Sequence, residues 1–130
     1  MLSPEIEEFA QLLVKHMRDA SIRSCDQFLV GNNNAPVAKR WKELNSGTYN
    51  VELLRSVIAD CVDETVFHFL QAVDQEILRI SFTGSNVRNV DLVAEGLGEL
   101  SGWYMGSNGW RDQYSSERYV DDFADLNPKS

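Results

Sequence analysis

The stretch that decides the fold is "NVELLRSVIADCVDETVFHFLQAVDQEIL", Asn50–Leu78. Asn50 has the side chain to cap a helix. From Val51 onward the apolar residues Val51, Leu54, Ile58, Val62, Thr65, Phe69 and Val73 recur at threes and fours, which predicts one long helix with a buried stripe. A helix of this length needs other helices to cover that stripe. The neighbouring segments supply them.

Upstream, "SPEIEEFAQLLVKHMRDASIRSCDQFLVGNNN" opens with a capping Ser3, a Pro4 suited to the first helical position, and Glu5, Glu7 and Glu8 at the positive helix end. Ile6, Phe9, Leu13, Met17, Ala20 and Phe28 share one face, and Gly31 with three asparagines ends the run. "APVAKRWKEL" predicts a short second helix. Downstream, "RISFTGSN" leaves room for a strand at Ile80–Thr83 with no evident pairing partner. "NVDLVAEGLGELSGWYM" predicts a last long helix with a seam of Val90, Val93, Leu97, Leu100 and Tyr104. Beside that seam run the small residues Ala94, Gly98, Gly102 and Gly106, a strip suited to close backbone approach. The expected architecture is all-α: a small bundle of about four helices in a single domain spanning residues 1–130, with an aromatic C-terminal segment packed over it. Residues 124–130 are expected to fray.

Of 13 aromatic residues, six lie between Trp103 and Phe123. That is too much apolar area to leave wet. The segment reads first as an intramolecular lid and second as an interface, since Trp and Tyr are frequent anchors.

The net charge of −8 is concentrated late in the chain. Residues 1–50 balance, residues 51–88 carry six acids and three bases, and residues 89–130 carry eight acids and three bases. Such a field repels phosphate backbones and anionic lipid and attracts basic proteins. The expected partner is therefore a basic protein surface, with no nucleic acid and no membrane. No apolar run reaches the length of a membrane span, and "MLSPEIEEF" lacks the pattern of a secretory leader, so a cytoplasmic protein is expected. Cys25 and Cys61 have no metal spacing and read as buried thiols.

Chemistry has few candidates. His16 reads as a core-edge residue. Asp60, Glu64 and His68, spaced by fours, climb one side of the long helix and could serve a carboxylate- or metal-dependent hydrolase. Only His16, Asp19 and Asp26 on the first helix are candidates to complete such a site, and no metal-ligand motif is present, so no metal and no cofactor are expected. Arg55 points towards the apolar side and calls for an ion-pair partner, Asp19 or Asp26.

The preferred reading is a non-catalytic acidic binding module, of the kind seen in small bacterial inhibitor and immunity-type proteins by size and charge alone. Its partner-binding residues would be Asp60, Asp63, Glu64, Phe67, Asp74 and Leu78 on an acidic helix side, joined by Trp110 and Tyr114 from the tail. The alternatives are the hydrolase and an obligate homodimer of structural role.

Overall fold

The computed structural model describes residues 2–45, 47 and 50–121. The chain starts with α1 (Pro4–Leu12), capped by Ser3, whose Oγ accepts from the Ile6 N–H at 3.2 Å. It passes without a break through a π-helical segment, Leu13–Asp19, into α2 (Ala20–Val30). The wider π turn shifts every later residue around the helix axis. A face extrapolated at 3.6 residues per turn therefore places Met17 inside. Met17 is instead 52% exposed, and Arg18 and Asp19, adjacent in sequence, are both buried.

Next come α3 (Pro36–Asn45) and α4 (Val51–Asp74). Asn50 caps α4 by accepting from the Glu52 and Leu53 N–H groups at 2.9 and 3.3 Å. The buried line of α4 is Ala59, Asp63, Val66, Leu70 and Val73. Of the expected stripe, Val73 is in this line and Val62 and Phe69 pack against the core, whereas Leu54, Ile58, Val62 and Thr65 line an open groove.

The fold is mostly helical and not strictly all-α. After α4 the chain forms β1 (Ser81–Thr83), paired antiparallel with β2 (Asn89–Asp91), with Phe82 opposite Val90. The missing partner of the first strand was thus hidden in the expected last helix. That helix is also interrupted further on. Asp91 caps α5 (Leu92–Gly96) through the Val93 N–H, Leu97 and Gly98 turn left-handed at φ 53° and 70°, and α6 (Leu100–Met105) restarts. Gly98 has open space around it, so the small residues between Ala94 and Gly106 form no continuous strip for close packing.

A sharp turn at Gly109, where a Cβ would overlap the Trp103 carbonyl oxygen, leads into α7 (Trp110–Tyr114). Trp110 is 2% exposed, with Phe9 and Trp103 each 6.2 Å away between ring centroids. The core gathers Ile6, Ala10, Leu13 and Val14 with Leu70, Val73, Leu100, Tyr104 and Trp110. The aromatic segment is therefore packed onto the body of the protein through Trp103, Tyr104, Trp110 and Tyr114, while Val120 is exposed. Phe123 and the fraying expected at 124–130 lie outside the described residues.

Candidate functional site: an apolar groove beside a buried ion-pair lock

Two sides of α4 carry the residues of interest. On the inner side sits Asp63, 3% exposed. Its carboxylate accepts from Arg18 Nε at 2.7 Å, Arg111 Nη1 at 2.9 Å and the Tyr104 hydroxyl at 2.6 Å. Two guanidinium groups and a phenol leave it no vacancy for a substrate or a proton relay. Burial works to lower the Arg18 pKa, yet Asp63 and Asp19 outweigh it and raise the value overall. Burial and the Asp63 charge push the Tyr104 phenol up, so it remains a donor.

The chain after α7 is fastened to the same cluster. Asp19 accepts from the Ser115 hydroxyl and the Ser116 N–H, each at 2.8 Å. Arg118 forks onto Asp26 at 2.7 and 2.8 Å and also donates to the Arg55 carbonyl. Arg55 pairs with Asp26 at 3.6 Å, one of the two expected partners, from a half-exposed position. Tyr119 covers Arg111 at 4.4 Å. These contacts make a lock of ion pairs and hydrogen bonds that holds distant segments in one register, although Arg111 Nε is buried without a partner among the described residues.

The outer side differs. Between α2, α3 and α4 lies an open groove of about 630 Å³, lined by Met17, Ser21, Cys25, Leu29, Trp41 and Leu44, and from α4 by Leu54 through Val66. Val57, one of its lining residues, is 46% exposed. Cys61 is exposed and Cys25 only half-buried, which corrects the expectation of two buried thiols. Burial, reinforced by the Asp26 and Cys61 charges, pushes the Cys25 thiol up. His16, expected at the core edge, is exposed.

The residues expected to bind a partner do not share one face. Asp60 and Glu64 are exposed on α4, a helical step from Val57 and Cys61, so they border the groove. Asp63 belongs to the lock. Asp74 caps α6, accepting from the Leu100 and Ser101 N–H groups at 2.9 Å. Phe67 is half-buried, edge-on to the His68 ring. Leu78 lies beyond the end of α4, 40% exposed. Trp110 is core, and Tyr114 packs half-buried against it.

Of Asp60, Glu64 and His68, the contact formed is His68 to Glu64 at 3.4 Å, with both side chains about two-thirds exposed. Among the described residues, no three His, Cys, Asp or Glu side chains gather to hold a metal, and no helix is long and apolar enough to cross a membrane. Sequence reasoning missed Arg18 and Arg111, and it assigned the groove wall to the core. A signal for the groove was present in the four-residue spacing of Met17, Ser21, Cys25 and Leu29, a second mostly apolar line on the first helix.

The fold and groove together define a small, mostly helical chain in which one side of the longest helix is uncovered among the described residues. No family model, curated protein or solved structure matches it.

Proposed function

We propose that the chain is a non-catalytic binding protein that engages the basic surface of another protein through the open groove and its acidic edge. One observation carries this reading: an apolar trough, uncovered among the described residues, lies beside a buried, ion-paired interior, and the exposed Asp60 and Glu64 stand one helical step from its lining residues Val57 and Cys61. An apolar centre with a charged rim is how protein interfaces are built. The net charge of −8 adds long-range attraction for a basic partner. An inhibitor acts by covering the basic surface its target uses, and a groove of this kind suits that role.

The test is reconstitution. Partners captured at low salt are purified, and their affinity for the wild-type chain and for the Asp60→Lys/Glu64→Lys variant is measured between about 50 and 500 mM salt. The expected result is association slowed about tenfold or more by charge reversal, with a flatter salt dependence and an unchanged melting temperature. Partners that bind both chains equally, independent of salt, would refute the proposal.

A further inference from the structure

Building on that binding reading, we infer that the groove takes an amphipathic α-helix of the partner, about three turns long, with its basic flank against Asp60 and Glu64. The groove walls set the shape. Arg18 meets Asp63 while Asp26 meets Arg55, so α2 and α4 run antiparallel along the two walls. The lining runs from Met17 to Leu29 on one wall and from Leu54 to Val66 on the other. Twelve residue steps of helix span roughly 18 Å, the length of three turns. The α4 wall is branched and apolar through Leu54, Val57, Ile58, Val62 and Val66, and smaller side chains, Ser21 and Cys25 on one wall and Cys61 and Thr65 on the other, are set among the lining. Small residues at fourfold spacing let a helix settle close to the walls.

Backbone chemistry selects the helix over an extended peptide. An extended segment brings unpaired N–H and C=O groups that need partners once water leaves. The groove lining is almost wholly apolar, and the Thr65 hydroxyl already donates to the Cys61 carbonyl at 2.9 Å. A helix arrives with its backbone groups satisfied internally. α3 supplies the third wall through Trp41 and Leu44 and is seated on α2, with Trp41 edge-on to Phe28 at 5.7 Å. Charge sets the orientation. Asp60 and Glu64 border the α4 wall, while the exposed Arg40 stands one turn before Leu44 on the α3 side. The favoured helix therefore carries Lys or Arg along the flank facing α4 and tolerates acids along the other.

The experiment is a selection. A display library of helix-biased peptides of about 14 residues is selected on the wild-type chain, with excess Ser21→Arg/Thr65→Arg chain as soluble competitor. Both substituted positions are exposed, and an unchanged melting curve certifies the fold of the competitor. The enriched peptides are expected to be helical when bound, to carry apolar residues at threes and fours, and to hold a Lys/Arg flank. In a Cys25→Ser background they should protect Cys61 from alkylation. The Ser21→Arg/Thr65→Arg change should weaken their binding about 30-fold or more, and Asp60→Asn/Glu64→Gln should mainly slow association. Failure to enrich any peptide overturns the inference, as does enrichment of extended or acidic sequences. So does protection of Cys61 by oleate but by no peptide, which would make the groove a site for a small apolar molecule. A wild-type dimer that Ser21→Arg/Thr65→Arg splits would place a second copy there, with the same consequence. If a basic partner loses affinity on Asp60→Lys/Glu64→Lys but not on Ser21→Arg/Thr65→Arg, the helix is wrong and the acidic binding function stands. If neither change matters, both fail.

Discussion

On its inner side α4 presents Asp63 to two arginines and a tyrosine, and every one of these groups comes from a different element. On its outer side, less than one turn away, Cys61, Val62 and Thr65 look onto an unfilled trough. The inner side is a region where chemistry has been used up in holding the chain together. The outer side has apolar surface that nothing among the described residues covers. A charged residue is thus the structural element here, and apolar residues are the functional candidates, the reverse of the usual first guess about a helix. Burial rather than residue type separates the two.

The contrast can be broken most forcefully at Asp63. Replacing it with alanine leaves Arg18 and Arg111 buried without their shared carboxylate, and removing one partner of such a cluster costs about 3–5 kcal/mol. Chemical denaturation of Asp63→Ala should therefore show a large loss. A variant as stable as wild type would show that the inner side is not a lock.

An intermediate effect is expected where the segment after α7 is fastened. Burial would raise the Asp26 carboxyl, but the Arg118 fork, with Arg55 behind it, holds it below its ordinary 3.8. A depressed carboxyl favours the folded state when ionised. Its contribution is complete above the unfolded value and is lost as pH falls through the folded one. The stability gap between wild type and Asp26→Asn should be constant above about pH 5 and should close as pH falls below about 4. A gap that persists undiminished to pH 2 would detach the Arg118 contact from stability.

The smallest effect is expected on the outer side. Val57→Thr removes apolar character from a half-exposed groove residue and should change stability by no more than about 0.5 kcal/mol. Thermal melts check this, and a loss of about 2 kcal/mol would mean that the groove wall is packed in solution. A neutral outcome beside a large one at Asp63 would sharpen the contrast between the two sides.

What the sequence determined by itself was local. Ser3 and Pro4 mark the start of the first helix, Asn50 caps α4, and the threes-and-fours periodicity carries α4 to Asp74, because caps and amphipathic spacing act within a turn or two. The surplus of aromatics near the C-terminus likewise implied a segment folded onto the body, and Trp110 sits there. Tertiary structure decided the rest. Residues 89–91 became a strand because residues 81–83 offered an edge to pair with, although their own spacing also suited a helix. The π segment turned Arg18 and Asp19 inward, a change of register that no local propensity announces. Asp63 is buried because its partners, 45 and 48 residues away in the chain, arrive at the same point. The apolar line from Leu54 to Thr65 borders a groove because α3 covers only part of the α2–α4 face. A stripe in a sequence states what a helix can bury, and only the placement of the other elements determines whether it is buried, since burial is a property of neighbours.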